Sequence, residues 1–536
     1  QRTVGKEFAA FAGLREADKT QWAQEKGLTS TQLGFGFNFG AAKKGTAPGA
    51  LDFSSQKFGD ESGSLQRSVW SLKSNNFGVM MFNRRSDAGF NRLANLSVAD
   101  KTGLALDLYR QYDANAKAEQ VTANDIAQVL NEAGFERNAF RADTALGKTA
   151  SFSYSQSAVT DAAKADAKTG LERSSLGLKT SNFEIALTTR KTDAGFGKLG
   201  SLSDIEKNYL ALDIRRQFDP NATLAQVAQP ERDQAIQEAG LERSLLAARL
   251  NLSKTSGLAF NAATIRTQSI GTENVIENPA NAIQRSTLDY TSKNLNVSVF
   301  KQSIGSGFGR LATLSDVEKL QFGNEIGLQR DHASVDYLFG KGARFGFKRL
   351  SIRGTQDSVN AARQKAAADG SDALGSMLQA GSGMQRESFT FDAKNLRFAA
   401  NFGVTDKEFN RAGDLSLTAP EKQAIALERG FTRSDYALKY TAGNQLKLDL
   451  FQYSAANRPD NLERNAVKNA FSLTPNKNFA LNYTNSGDVA TNDGKKNGAT
   501  QSLLTLDQQL GKTLALNVQQ ADTITYNNGD TVDGYK

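Results

Sequence analysis

The sequence predicts a mainly antiparallel β fold, an up-and-down meander of β-hairpins with short capped helices in its long connections. Three observations predict it. Polar and apolar residues alternate at period two around small turn-forming residues over most of the chain. One motif, clearest as SDAGFNRLANLSVADK at Ser86 to Lys101, returns at intervals of roughly a hundred residues. No apolar run approaches the ~20 residues of a spanning helix, and the longest, such as Phe77 to Phe82, are strand-sized.

The hairpin text is regular. In RSSLGLKTSNFEIALTTRK, Leu176 and Leu178 share a face with Phe183, Ile185 and Leu187, while Lys179, Glu184 and Thr188 point the other way. Leu288, Tyr290, Leu295, Val297 and Val299 repeat the grammar, as do Phe389, Phe391, Leu396, Phe398 and Phe402. It returns in Leu438, Tyr440, Leu446, Leu448 and Leu450, and again in Leu504, Leu506, Leu514, Leu516 and Val518. Each hairpin therefore has one apolar and one polar face, and roughly twenty strands are expected. Tight turns alternate with long, helix-bearing connections such as Thr192 to Arg243 and Thr355 to Arg386.

The helices are written into the repeat. The motif returns at Thr192 to Lys207 and Ile304 to Lys319, more loosely at Thr405 to Lys422, and weakly at Glu7 to Lys19, which aligns Phe8, Phe90, Phe196, Phe308 and Phe409. Ser97, Ser203 and Ser315 each precede a carboxylate by three residues (Asp100, Glu206, Glu318), the spacing of a capping box. Leu96, Leu202 and Leu314 hold the staple position before it. Ser416 is the aligned residue in the looser copy, where Ala419 and Pro420 displace the acid to Glu421. Each helical stretch ends at a glycine followed by Leu or Phe: Gly27, Gly134, Gly240, Gly327 and Gly430. Glycine there supplies a left-handed residue. In the copies after Phe90 and Phe196 the stretch is longer and holds a second helix, around Ala225 to Ala239 in the latter. The chain reads as one repetitive array with units near 1–85, 86–191, 192–303, 304–404 and 405–536.

Composition narrows the function. The 536 residues contain no cysteine and one histidine, which excludes thiol chemistry, disulfides and Cys/His zinc sites. The net charge of +8 comes from 65 basic and 57 acidic residues spread evenly, with no Lys/Arg block of a nucleic-acid groove. The chain begins at Gln1 without Met and reads as a mature or partial chain.

Few residues invite chemistry. His332, in QRDHASVDYLF, lacks a second histidine or a cysteine to make a metal or acid–base site and reads as a surface residue. Asp87 and Asp193, before the motif glycines, are the weak calcium candidates; the commoner role for such residues is to cap a turn. The acidic stretches Asn485 to Gly498 and Asn527 to Asp533 lack complete EF-hand spacing. Arg137, Arg243, Arg330 and Arg433 follow the glycine motif, and ion pairs with the motif carboxylates, within or between repeats, are expected of them. No phosphate-binding loop, nucleophile elbow or zinc-protease motif occurs. The expectation is no enzyme and no cofactor.

Short turns on one side, long connections on the other, one apolar face, no cysteine, and abundant Gly, Asn and Thr resemble bacterial outer-membrane β-barrels as a class. The resemblance implies a large barrel or part of one, acting in the outer membrane as a pore or structural anchor, with the lipid bilayer or other envelope proteins as partners. Most strands show only two or three clearly apolar outward positions, against about five for a spanning strand. Either Ala, Gly and Thr complete the band, or the helices cover the apolar faces in a two-layer α+β repeat array. The second reading implies an extracellular scaffold, a surface-layer, sheath or filament subunit assembling through its repeats as a homo-oligomer.

Overall fold

The computed structural model describes residues 2–3, 15–39, 49–74, 76–113, 116–167, 169–268, 279–340, 342–457, 461–527 and 529–535. Phe8 lies outside them. The chain divides into two compact units: Gln1–Asn251 with Ala259–Asn278 and Gly309–Leu320, and Leu252–Leu258 with Pro279–Phe308 and Gln321–Lys536.

The strands in chain order are β1 Arg2–Thr3, β2 Thr29–Phe39, β3 Gly49–Asp60, β4 Gly63–Lys73, β5 Phe77–Ser86, β6 Phe135–Ala145, β7 Ser151–Asp161, β8 Gly170–Lys179, β9 Phe183–Thr192, β10 Leu241–Ser253 and β11 Ser256–Thr267. They continue as β12 Ala282–Thr291, β13 Leu295–Ile304, β14 Leu328–Phe339, β15 Ala343–Gly354, β16 Gly383–Ala393, β17 Leu396–Thr405, β18 Thr432–Ala442 and β19 Leu446–Asn457. The last five are β20 Leu462–Asn476, β21 Phe479–Asn492, β22 Lys495–Gln509, β23 Ala515–Asn527 and β24 Asp530–Tyr535. In the first unit each strand from β1 to β9 pairs antiparallel with its successor. In the second unit the same holds from β12 to β23. This is the up-and-down meander that the alternation predicts.

Register places the paired apolar residues on one face. Leu176 faces Leu187 and Leu178 faces Ile185; Leu288 faces Val299; Phe391 faces Phe398; Leu438 faces Leu450.

Helices occupy connections at one end of the strands only: α1 Glu16–Gln24, α2 Val98–Arg110, α3 Ala123–Gln128, α4 Asp204–Arg216, α5 Gln229–Ala235, α6 Asp316–Phe322, α7 Gln356–Asp369, α8 Ala373–Gly381 and α9 Ala419–Leu427. The second helix in the copy after Phe196 is the short α5, preceded by a 3₁₀ turn at Leu224–Gln226. The helices lie against the polar face, not the apolar one, so the covered-sheet arrangement of a two-layer array is not what forms. The reason is chemical: the docking helices carry Asp107 and Asp213, whose partners Arg67 and Arg173 stand on polar-face positions.

At the ends nearest these loops the polar face becomes an apolar core. Phe58, Leu65, Phe90, Leu93, Leu96, Leu104 and Val129 form one cluster. Phe135, Leu171, Phe196, Leu199, Leu202 and Leu210 form the next; Leu328, Ile352, Met384, Phe409 and Leu415 form a third in the second unit. Phe90, Phe196, Phe308 and Phe409 are each at most 1% exposed. The amide of each donates to a carbonyl three residues back (Asp87, Asp193, Gly305, Asp406), a tight turn that drives the ring inward.

The caps follow the Ser/Thr-x-x-acid spacing. Ser203 and Ser315 make reciprocal boxes with Glu206 and Glu318, and Ser97 accepts from the Asp100 amide. In the fourth copy Ser416 is not the cap. Thr418 takes that place, its amide donating to Glu421 at 2.9 Å, because the two extra residues move the helix start. Gly134, Gly240, Gly327 and Gly430 have φ between 75° and 81°. In three of them the amide of the following residue closes a turn onto a glutamate carbonyl three residues back, from Leu241, Leu328 and Phe431.

Truncating Phe196 to Ala removes a fully buried ring from the second cluster and is expected to cost about 3–5 kcal/mol. Urea denaturation of the folded protein checks it; a loss below about 1 kcal/mol would show that the ring is not a core element.

Candidate functional site

The candidate site is the polar face and the loop belt docked on it. It begins with a turn of sequence Glu-x-Gly-(Leu/Phe)-x-Arg. Its glutamates are Glu132, Glu238, Glu325 and Glu428, and each sits five residues before Arg137, Arg243, Arg330 or Arg433. The left-handed glycine reverses the chain, so the acid at the loop's end and the arginine one strand position later meet. Arg137 donates to Glu132 at 2.8 Å, Arg243 to Glu238 at 3.0 Å and Arg433 to Glu428 at 2.9 Å; Arg330 lies 3.3 Å from Glu325.

The same arginines reach the following loop. Arg137 pairs with the cap carboxylate Glu206, and Arg243 with Glu318 at 2.5 Å. Arg330 finds Ser416 Oγ at 2.8 Å, the hydroxyl left over when the cap moved to Thr418. The inter-repeat ion pairs are thus present for two arginines and replaced by a neutral contact at the third.

Further cations complete each rung. Arg67, Arg84 and Arg137 face one another in register across β4, β5 and β6, and Arg173, Arg190 and Arg243 do so across β8, β9 and β10. Asp107 on α2 takes Arg67 at 2.6 Å, and Asp213 on α4 takes Arg173 at 2.8 Å. Arg84 donates to Glu132 at 2.7 Å and to the Leu104 carbonyl at 2.7 Å. Arg190 repeats both contacts with Glu238 and the Leu210 carbonyl. Three guanidiniums thus meet three carboxylates in each rung, nearly all shielded from water, and the charges balance.

A second link runs along the belt. The basic residue two after each motif phenylalanine donates to carbonyls of the preceding turn. Arg92 reaches Lys26 at 2.7 Å, Lys198 reaches Gly134 at 2.8 Å, Arg310 reaches Ala239 at 2.9 Å and Arg411 reaches Ile326 at 2.6 Å. The recurrence of this basic residue was available in the sequence; its partner was not, because the partner lies 64 to 85 residues away.

Asp87 and Asp193 serve turns. Asp87 accepts from the Ser64 amide at 3.0 Å and Asp193 from the Gly170 amide at 3.0 Å. Among the described residues no group of three or more His, Cys, Asp or Glu gathers as a metal cluster. His332 stands on the polar face of β14, opposite Leu350 and Phe300.

The other face is bare. Leu33, Phe35 and Phe37 stand out from β2, Phe37 with 63% of its surface exposed. Phe35, Phe53, Trp70 and Met81 then run across β2 to β5 in register. In the second unit Phe398, Phe402 and Val404 are exposed on β17, where Leu396 and Ala400 complete five outward apolar positions. These span eight residue steps, about 27 Å at ~3.4 Å each. Elsewhere the band is shorter and ends at charges on the helix-bearing side: Glu172, Lys191 and Glu242 in register, Lys301 opposite Asp331, and Arg349 3.5 Å from Glu387.

No family model matches the sequence, and no curated protein matches it. Solved structures do. The Pseudomonas aeruginosa protein OccK8 (OprE) is 8% identical, covering 72% of this chain and 92% of its own, with a TM-score of 0.23. OccK11 (OpdR) of the same organism is also 8% identical, over 72% and 90%, at 0.22. A mutant of the Rh. blastica porin is 9% identical, over 60% and 85%, at 0.19. The likeness is one of class, and what the chain does is read from its own two faces.

The loop carboxylates make the rung acid-sensitive. Burial alone would raise the Glu132 carboxyl, but Arg137 and Arg84 outweigh it and hold it below the usual range. Asp213 is likewise buried and held down by Arg173 and Arg190. Glu325 shows the opposite balance: Gln302 stands where Arg84 and Arg190 stand, one guanidinium remains, and burial raises it. Because the folded values of Glu132 and Asp213 lie below the unfolded ones, their stabilisation is complete above the ordinary carboxylate range near pH 4. It is lost as pH falls through the folded values. Hydrogen exchange should show α2 and α4 protected unchanged from pH 7 to about 5 and released only in stronger acid; release already at pH 6 would contradict the paired state. Glu238→Gln, which leaves Arg190 and Arg243 short of their shared acid, should cost about 3–5 kcal/mol.

Proposed function

We propose that the chain is a non-enzymatic envelope protein of the bacterial outer membrane. Its bare face contacts lipid, and its polar face lines a lumen that its own loops partly fill. One observation carries this reading: the exposed apolar band, bounded on the helix-bearing side by charged rows, lies opposite a face of paired arginines and carboxylates. Exposed apolar surface of this extent is costly in water, whereas in a bilayer it is the solvated surface. Outer-membrane barrels carry an apolar band ~25 Å tall, crossed by tilted strands of ~9–11 residues, and the nine residues from Leu396 to Val404 on β17 are of that length. Small residues such as Ala400 and Ala248 complete it where large ones are missing.

A sheet in lipid must also leave no unpaired edge, and closure into a barrel meets that requirement. The four-strand period, one motif loop after each of β5, β9, β13 and β17, supports the reading of the chain as a repeat array. The polar face supports a pore or anchor rather than catalysis, because the buried arginines and carboxylates of its rungs are spent on one another and on backbone carbonyls.

An extracellular array would cover the same bare face with neighbouring chains, and one experiment separates the two. The protein lacks cysteine, so any introduced thiol is the only one. Leu187→Cys, Val299→Cys and Phe402→Cys on the bare face should react, in whole membranes, with a lipid-soluble maleimide and not with a charged one. Ser153→Cys and Ser388→Cys on the polar face should show the reverse preference. Bare-face thiols that react freely with the charged reagent, or a protein recovered without detergent, would sink the bilayer reading.

A further inference from the structure

The rung pattern is broken at Gln302 and again at Gly403, and a cavity of about 610 Å³ lies at the second break, within the second unit. Across β13 to β18 the register row beneath it reads Phe300, His332, Leu350, Arg386, Gly403, Arg433. Arg386, Gly403 and Arg433 hold the strand positions of Arg173, Arg190 and Arg243, so the middle guanidinium is absent. The loop above, residues 406–431, carries the nine-residue α9 in place of the thirteen-residue α4. The helix turn that would supply a counterpart of Asp213 and the carbonyl counterpart of Leu210 is therefore missing too. Leu417, Glu421 and Glu428 of that loop line the cavity instead.

What the cavity gains is as informative as what it lacks. His332 stands five residues after its turn glycine, where the other copies have Ala139, Leu245 and Asp435. Lys348 faces Ser334, the position that Ser155 holds opposite Arg141 in β7. The acids around the cavity are engaged: Glu428 lies between Arg386 at 2.7 Å and Arg433 at 2.9 Å, Asn401 and Arg433 hold Asp435, and Thr418 holds Glu421. Glu387 is directed to Arg349, its pair on the opposite face. Arg330 is held by Ser416 and Glu325. Lys348 and His332 have no hydrogen-bond or ion-pair partner among the described residues. Among the lining residues the cations Arg330, Lys348, Arg349, Arg386 and Arg433 outnumber the carboxylates Glu387, Glu421, Glu428 and Asp435 by one, so Lys348 leaves a positive charge facing a cavity whose other walls include Phe300, Leu350 and Leu417.

We propose that this cavity binds a small organic anion, its charged group at Lys348 and His332 beside Arg386 and its apolar body against Phe300, Leu350 and Leu417. The volume suits such a ligand. An anion there would balance Lys348, the cation that the chain adds beside a rung from which it has removed both an arginine and the helical acid. The inference goes beyond the envelope reading and holds whether or not the opposite face meets lipid.

His332 is the only histidine in the chain, so histidine-selective isotope labelling gives one imidazole signal to follow by NMR in the full-length, detergent-solubilised protein. Phenyl phosphate should shift that signal saturably, while inorganic phosphate and benzyl alcohol should each bind at least about tenfold more weakly. Lys348→Gln should weaken phenyl phosphate about ten- to hundredfold, the worth of one charge-assisted hydrogen bond. Gly403→Arg, which refills the missing rung position, should abolish the shift. Arg344→Gln, on the same strand but paired with Asp336 outside the cavity, should bind as the parent does. No saturable shift, equal binding of benzyl alcohol, equal binding of inorganic phosphate, or unchanged binding by Lys348→Gln would each overturn the proposal.

Discussion

The structure depends on one contact: the carboxylate that ends a loop and the arginine that begins the next strand, five residues apart around a left-handed glycine. Glu238 and Arg243 show it fully. The pair turns the chain from loop into strand, orients the guanidinium toward Glu318 and fixes where the following helix starts. Neither partner could be buried alone, since a lone ion away from water costs several kcal/mol. Burial of Arg243 therefore requires the helix cap of the next repeat to be in place, and the repeats are coupled by electrostatic necessity.

Such rungs give position more than net stability. A buried pair replaced by well-packed apolar residues is often no less stable. The clusters around Phe90 and Phe196 provide the favourable burial that holds the loops down. The ions select one seating among the many that apolar packing alone permits. The carbonyl contacts of Arg92, Lys198, Arg310 and Arg411 act similarly, tying each motif to the turn before it without an acid. Loops built this way cover the polar face as a fixed lining, which explains why the apolar clusters and the buried charges occur at the same end of the strands.

Much of this was legible in the sequence, and the remainder was hidden for definable reasons. Period-two alternation places Leu176 opposite Leu187 and Phe391 near Phe398, because a strand side chain has only two faces to choose from. The Ser-x-x-Glu spacing marks the starts of α4 and α6, since capping is local. In the fourth copy Ser416 departs from the box, and after a two-residue insertion the same spacing is met by Thr418 and Glu421. Helix placement on the polar face was not legible: amphipathic spacing says that a helix has an apolar side, not which side of a sheet it seeks. Asp107 and Asp213 decide that, through arginines forty residues earlier, beyond any local rule. The acid of the Glu-x-Gly turn repeats visibly, yet its meaning emerges only when the register brings Arg84 or Arg190 beside it.

The motif loops shorten along the chain, while the connection after β15 carries its own helical pair, α7 and α8. Loops 87–134 and 193–240 carry complete helical pairs, loops 305–327 and 406–431 are shortened, and beyond β19 the connections among the described residues are tight turns. Where the cover is complete, each rung is neutral and closed. Where it shortens, Gln302 replaces one arginine and Gly403 another, and Glu325, left with one guanidinium, is raised by burial. A repeat array whose only task was rigidity would gain nothing by relaxing its rungs in this graded way. The substitutions fall on polar-face positions, leave the apolar clusters around Phe409 intact, and add Lys348 where Ser155 stands in β7 and His332 where the other copies have Ala139, Leu245 and Asp435. Loss of cover and gain of charge at the same strands is the arrangement expected of a surface opened to solutes on a scaffold that the remaining rungs keep fixed.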